Sequence, residues 1–240
     1  MAKRQVLEQL AEWIKGSSYT LLLTGAGMST ESGIPDFRSQ NGLWKNYDPA
    51  YVSSVDALED HYKLFHEFYT LRLQDIETRI PHQGYEVLSR LQEQRLIHAI
   101  ATQNVDGFHL RSGGRNVHEL HGSLSRIYCH ACSQEHSIEA FKKGTACSCG
   151  GKLRPSIVLF GEMLPEPVWE QAIAAIEQSD LVVVIGTSLQ VYPVNQLPSM
   201  TKGRTALINQ EPTAMDHVFD LSIYSSAKES LIELEKLLDR

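Results

Sequence analysis

The chain has 240 residues, which suits one large domain beside a small one, or a domain carrying an insertion. Its hydrophobic share of 42% is that of a packed globular protein and excludes a disordered chain. With 22 Lys and Arg against 29 Asp and Glu, the acidic balance makes nucleic acid a poor partner and favours basic, lysine-bearing peptides.

Val6, Leu7, Leu10, Trp13 and Ile14 recur at helical spacing, so the first element reads as an amphipathic helix. Glu8 and Glu12 interrupt the unbroken apolar run that a secretory signal would need there. Residues 19–24 form a short apolar run that breaks at Gly25, the pattern of a buried strand. Residues 97–102, 181–187 and 205–209 repeat it, and residues 157–160 read as one more strand. Helical patterns lie between several of these runs. Short buried strands alternating with helices predict an α/β fold: a Rossmann-like, mostly parallel sheet with helices on both faces. Two stretches break that rhythm. Residues 41–78 are turn-rich and then helical, and residues 128–153 are polar and hold all four cysteines. The expected division is a Rossmann-like domain of residues 1–38, 80–125 and 154–240, with a smaller inserted module of 39–79 and 126–153. The longest apolar stretch, from Leu181 to Ile185, is too short for a bilayer, so no membrane partner and a cytoplasmic location are expected.

The first strand runs into Gly25-Ala26-Gly27, where backbone N–H groups would hold a pyrophosphate at a following helix N-terminus. A tight strand-to-helix turn would need the same glycines. The dehydrogenase fingerprint asks for a third glycine where Thr30 stands. Asp36, Phe37 and Arg38 then put an acid, an aromatic face and a fixed cation in one turn, a composition that an ordinary surface ion pair would share. Gln103, Asn104 and Asp106 cluster at the end of the 97–102 strand, where α/β sheets collect binding groups and where capping turns also favour Asn and Asp.

Leu58, Tyr62, Phe65, Tyr69, Arg72 and Ile76 follow steps of four and three and share one helix face. Arg72 is the exception on that apolar stripe: it either snorkels to water or awaits an anion. Cys129 and Cys132 form C-x-x-C, and Cys147 and Cys149 form C-x-C followed by two glycines. Two close pairs fit a structural, tetrahedral thiolate zinc site with one metal per chain and no open position for catalysis. A redox C-x-x-C is the competing reading. His109 and His118 read as structural.

The run G-A-G-x-S-x-x-S-G-I-P-D-F-R resembles the cofactor loop of the sirtuins. Three further stretches match that family in order: Thr102-Gln103-Asn104-Val105-Asp106, His118-Glu119-Leu120-His121-Gly122 and Phe160-Gly161-Glu162. Gly186-Thr187-Ser188 and Asn209 complete the set. The resemblance implies an NAD-dependent protein lysine deacetylase, which transfers the acyl group to ADP-ribose and releases nicotinamide. It implies His121 as the general base, with Asn104 beside it at the reaction. Gly25, Ala26, Gly27, Ser29, Thr30, Asp36, Phe37, Arg38, Gln103, Asn104, Val105 and Asp106 would hold the nicotinamide end and the phosphates. Gly186, Thr187, Ser188, Asn209, Gln210 and Ala227 would hold the remaining phosphate, ribose and adenine groups.

The resemblance further implies that an acyl-lysine peptide adds as a strand along Val158, Phe160, Gly161 and Val191. Tyr69 and Arg72, as Tyr-x-x-Arg, are similar to the pair that binds the acyl carboxylate in the desuccinylase branch, so desuccinylase or demalonylase activity is an added expectation. Pro35-Asp36 reads instead like the deacetylase branches. The family more often carries C-x-x-C in both cysteine pairs, so the C-x-C half is a departure. Two other functions fit the same scaffold: a mono-ADP-ribosyltransferase, and a non-catalytic NAD-sensing interaction module.

Overall fold

The computed structural model describes residues 3–37, 39 and 42–239. Arg38, expected in the cofactor loop, lies outside them. In chain order, α1 (Lys3–Gly16) leads into β1 (Thr20–Thr24); α2 (Pro49–Val52), α3 (Val55–Asp60), α4 (Tyr62–Thr78) and α5 (Gln83–Glu93) precede β2 (Ala99–Thr102). Next come α6 (Phe108–Arg111), β3 (Val117–Glu119), β4 (Gly122–Cys129), β5 (Glu135–His136), α7 (Ile138–Lys142) and β6 (Leu153–Ile157). The chain then runs through α8 (Glu166–Gln178), β7 (Leu181–Ile185), β8 (Arg204–Asn209), β9 (Leu221–Tyr224) and α9 (Ala227–Leu238).

Six strands form one sheet in the order β3-β2-β1-β7-β8-β9, and each of its pairings is parallel. Both faces are covered, which explains why its central strands are continuously apolar and not alternating. Leu22, Ile100, Val183 and Ile208 pack on one face with Leu7, Leu10, Leu88 and Leu234 from α1, α5 and α9. Leu21, Leu23, Val182, Val184 and Leu207 pack on the other face with Ala172 and Ile176 of α8. Each such Leu, Ile or Val side chain contributes about 1.5–3 kcal/mol by leaving water, so this double-sided core holds the frame on which the loops sit.

The second sheet is antiparallel, in the order β5-β4-β6. It corrects one expectation. Residues 157–160 do not form a strand of the parallel sheet: Ile157 closes β6 in the antiparallel sheet, and Phe160 makes a single parallel bridge to Ser54. The apolar character of that run comes from burial of Ile157 and Leu159 in the core beneath, not from sheet membership. The edge strands β3 and β9 carry no long apolar run and are found only in the structure.

The chain leaves β1 for β2 and β3 on one side, then returns to β7 on the other side of β1. That reversal opens a crevice at the C-terminal ends of β1 and β7, the general ligand position in such sheets.

Candidate active site

The glycines at the end of β1 are required by close packing. The Gly25 N–H donates to the Ile185 carbonyl at 3.0 Å and that of Gly27 to the Gly186 carbonyl at 2.7 Å. A Cβ on Gly25 would lie 2.6 Å from Thr187 Cβ, and one on Gly27 would lie 2.8 Å from Gly186 Cα. Gly186 itself has φ +65°, with Met28 N only 2.3 Å from where a Cβ would stand. Only glycine lets the ends of β1 and β7 touch this closely.

Over that contact lies a cleft of about 1310 Å³. From the first loop, Ala26, Gly27, Thr30, Asp36 and Phe37 line it, and Asp36 accepts from the Ser39 N–H at 2.8 Å. Gln103, Asn104 and Val105 enter from the end of β2, and Gly186, Thr187 and Ser188 from the end of β7. Asn209, Gln210 and Ala227 close the far end. Gln103 bridges two of these groups by donating from Nε2 to Thr187 Oγ1 at 3.0 Å.

Gly25, Ser29 and Asp106 lie just behind this lining and support it. Ser29 Oγ donates to Asp106 Oδ2 at 2.7 Å, and Asn104 Nδ2 donates to Ser29 Oγ at 3.1 Å and to Gly25 O at 3.0 Å. Tyr85 OH lies 2.7 Å from Ser29 Oγ. Ser29 has one hydrogen, already given to Asp106, so Tyr85 is the donor of that pair. Both amide hydrogens of Asn104 point to protein acceptors, which leaves Oδ1 as its remaining polar atom. Burial pushes the Asp106 carboxyl up, against donation from Ser29 and from the Phe108 N–H and the nearby Arg72 and Arg111.

His121 follows β3 and lines the same cleft, with Nδ1 3.1 Å from the Gln103 carbonyl oxygen. A carbonyl only accepts, so Nδ1 carries the proton and the basic lone pair of the neutral ring is on Nε2. The His121 carbonyl in turn accepts from Val158 N–H at 2.9 Å, which brings residues 158–162 to the opposite wall. Val158, Phe160, Gly161 and Val191 all line that wall. Phe160 is half exposed, and Met163 and Tyr192 beside it are among the most exposed apolar side chains described.

Tyr69 and Arg72 both face the cleft from α4. Tyr69 OH is 2.7 Å from Ser53 Oγ, and burial pushes the phenol up to about 12. The Arg72 guanidinium lies 5.2 Å from the Phe37 ring centroid. Burial lowers its pKa against the nearby Tyr69, Asp106 and Asp75, and it makes no ion pair among the described residues. Phe37 also packs on Trp44 at 5.1 Å, so this aromatic of the first loop sits between α4 and a tryptophan.

The four cysteines gather at one end of the antiparallel sheet, with one ligand atom from each lying within 4.8 Å of the others. The Cys129–Cys149 sulfurs are 3.5 Å apart and the Cys132–Cys147 sulfurs 3.6 Å, with all four thiols free. Tetrahedral zinc–thiolate bonds of about 2.3 Å place sulfurs roughly 3.8 Å apart, so this donor set fits a structural zinc. The C-x-C half closes because Gly150 takes φ +82° and because a Cβ on Gly151 would meet Cys129 Sγ at 2.6 Å. His136 Nε2 lies 3.3 Å from Cys147 Sγ.

Several participants escaped the sequence reading. Trp44 and Ser53 line the cleft from the turn-rich stretch, where no periodicity marks them. His82 accepts at Nδ1 from Gly84 N–H at 2.9 Å and donates from Nε2 to Met28 O at 2.7 Å, pinning the loop that follows β1. Tyr85 and Arg154 carried no local signal.

A Sir2 family model matches residues 25–193. An NAD-dependent protein deacetylase of Oceanobacillus iheyensis is 46% identical over 219 residues, which cover 89% of this chain and 93% of that protein. A Sir2 homologue solved with ADP-ribose superposes with a TM-score of 0.92 at 34% identity, covering 97% of this chain and 96% of the other. A Sir2 protein solved with a deacetylated p53 peptide and 3'-O-acetyl-ADP-ribose superposes with a TM-score of 0.87 at 32% identity, covering 96% and 97%. By sequence along most of its length and by fold, the chain belongs to the Sir2 family.

Proposed function

We propose that this chain is an NAD-dependent protein lysine deacetylase. With water, acetyl-lysine and NAD would give free lysine, nicotinamide and O-acetyl-ADP-ribose. NAD supplies a ribose carbon that carries nicotinamide as a leaving group. The chain's residues do the rest. Ala26, Gly27 and Thr187 cradle phosphates, Asn209 and Ala227 take the adenosine end, and Phe37 covers the reacting end. Asn104 offers Oδ1 to a hydroxyl or water, and Gln103, Val105 and Asp106 shape the nicotinamide end. The reading rests chiefly on His121: its Nδ1–H is held by the Gln103 carbonyl, so Nε2 is the atom that takes a proton.

The test is nicotinamide release with and without an acetyl-lysine peptide. Peptide-dependent release with deacylated product supports the deacetylase. Release that labels protein with ADP-ribose without an acyl group supports a mono-ADP-ribosyltransferase, and no release at all supports a sensing module. His121→Ala should lose deacetylation by a factor of about 10²–10⁴, the usual worth of a general base, while still binding NAD. Near-normal turnover in that variant would remove His121 from the role.

A second reading concerns the acyl group. Arg72 is a half-buried cation on the cleft wall with no ion pair among the described residues, next to Tyr69. A planar guanidinium meets a carboxylate through two parallel hydrogen bonds, so we propose added activity on succinyl- or malonyl-lysine. Arg72→Met should then lose succinyl turnover selectively, by about 2–5 kcal/mol in kcat/KM, relative to acetyl turnover on the same peptide. Equal loss on both, or no succinyl turnover in the wild type, leaves Arg72 a structural residue.

We also read residues 39–79 and 126–153 as one small module. The close approach of α4 and α7 supports this, with His66 Nε2 2.6 Å from the Phe141 carbonyl oxygen and Lys142 paired with Glu77. No described helix is long and apolar enough to cross a membrane. Four free thiols fit a reducing compartment, and we place the enzyme in the cytoplasm.

A further inference from the structure

Arg154 heads the fully buried side chains of the protein, with 0% of its surface exposed. A buried guanidinium persists only when its donors are met. Nη1 donates to Glu162 Oε1 at 2.5 Å, and Nη2 donates to Glu162 Oε2 at 2.9 Å and to the Ile157 carbonyl at 2.6 Å. Nε reaches the Pro155 carbonyl at 3.3 Å, and the guanidinium carbon lies 5.4 Å from the Tyr128 ring centroid.

These partners belong to two parts of the molecule. Arg154 sits in β6 opposite Tyr128 of β4, and its neighbour Leu153 pairs with Cys129. Glu162 ends the segment that forms the cleft wall. Its Oε2 also accepts from the Leu159 N–H at 2.8 Å, and its own N–H donates to the Leu159 carbonyl at 3.0 Å, closing residues 159–162 into a tight turn. The rest of the wall is tied elsewhere: Val158 to the His121 carbonyl, and Phe160 to Ser53 and Val55. The Arg154–Glu162 pair is therefore the side-chain tie, among the described residues, between the turn and the cysteine-bearing sheet.

We propose that Arg154 is a positioning residue for the substrate-peptide wall, holding residues 159–162 against the β4–β6 pair so that order at the cysteines and peptide binding at the cleft are coupled. The inference rests on the deacetylase reading and on the peptide-binding role that the family resemblance implies for that wall. Arg154 has no exposed surface, so any effect of changing it on the peptide must be transmitted through the groups it holds, Glu162 and the Ile157 carbonyl foremost. Lysine keeps the charge but loses the planar fork that holds both carboxylate oxygens.

The experiment compares wild type with Arg154→Lys, and with Arg154→Met should the lysine variant not fold. Three quantities are measured: steady-state constants for an acetyl-lysine peptide and for NAD, amide hydrogen exchange of residues 159–162, and bound zinc. The expected result is a peptide KM raised about tenfold or more, with kcat at saturating peptide and the NAD KM within about twofold. Exchange at the Leu159 amide should quicken while that of residues 99–102 stays slow, with zinc retained. An unchanged peptide KM, or peptide and NAD constants rising together, overturns the proposal. If the wild type does not turn over an acetyl-lysine peptide, the substrate reading fails by itself. The exchange data then still decide whether Arg154 holds the turn, and unchanged exchange in the variant overturns that part as well.

Discussion

Buried histidines show how single residues set the behaviour of the cleft's support. Thr24 Oγ1 donates to Thr102 Oγ1 at 2.8 Å and lies 2.9 Å from His109 Nε2. Its only hydrogen is spent on Thr102, so His109 must donate from Nε2 and is a neutral ring in a fixed tautomer. Burial, with a smaller push from His82, lowers its pKa from 6.5 to about 3. The unfolded chain therefore binds a proton that the folded chain refuses between those two values. This contribution to stability is fully present above about pH 6.5 and drains away as pH falls toward about 3. Each tenfold difference in proton affinity between the folded and unfolded ring corresponds to about 1.4 kcal/mol. His82, also lowered by burial, acts in the same direction. His109→Gln keeps a donor for Thr24 but does not titrate. It is expected to lower stability at about pH 7 while flattening the loss between about pH 6.5 and pH 4.5. Denaturant midpoints across that range measure this; parallel curves for the two proteins would show that another group carries the acid sensitivity.

At the scale of elements, the tightest constraint is the meeting of the β1 and β7 ends. Gly186 takes φ +65° and has Gly27 and Met28 backbone where a side chain would stand. Gly186→Ala adds a left-handed penalty of about 1–2 kcal/mol to a backbone clash that no rotamer relieves, so a drop of at least about 2 kcal/mol and weakened NAD binding are expected. Gly16→Ala serves as the control: no atom lies within 4 Å of its Cβ position, and its substitution should be nearly neutral or mildly stabilising. Similar Tm values for the two variants would refute the packing argument. The same elements show what was legible in advance. The central strands β1, β2, β7 and β8 were readable because both faces are buried, so their apolar runs are unbroken. The edges β3 and β9 were not, because three or four residues at a sheet border need little apolar surface. Residues 157–160 misled because burial of Ile157 and Leu159 imitates a buried strand. Residues that sit in motifs, such as Gln103, Asn104 and His121, were readable as candidates and line one cleft. Tyr85, His82 and Arg154 were not, because they act through contacts 56, 54 and 8 residues away along the chain.

The whole molecule joins two sheets of unequal self-sufficiency. The parallel sheet is sealed on both faces by long helices, whereas the antiparallel sheet has three strands, one of them only two residues long. Small sheets of that size are marginal in water without a staple. The cysteine cluster is positioned to be that staple, since Cys129 ends β4 opposite Leu153 of β6 and Cys147 and Cys149 lie on the connection back. Binding of a metal to such a set is folding free energy for the elements it joins. The purified protein should therefore hold about one zinc per chain, and a strong chelator should unfold the molecule unevenly. Amides of β4 and β6 should lose exchange protection first, while those of β1 and β7 keep it. Because residues 159–162 hang from β6 through Arg154, peptide binding should be lost with β6 while NAD binding outlasts it. Exchange measured by mass spectrometry alongside released zinc follows each stage. Full retention of β4–β6 protection after the metal is gone would make the cysteines dispensable to the fold. Simultaneous loss of both sheets would mean that the molecule unfolds as one cooperative unit, with no separable module.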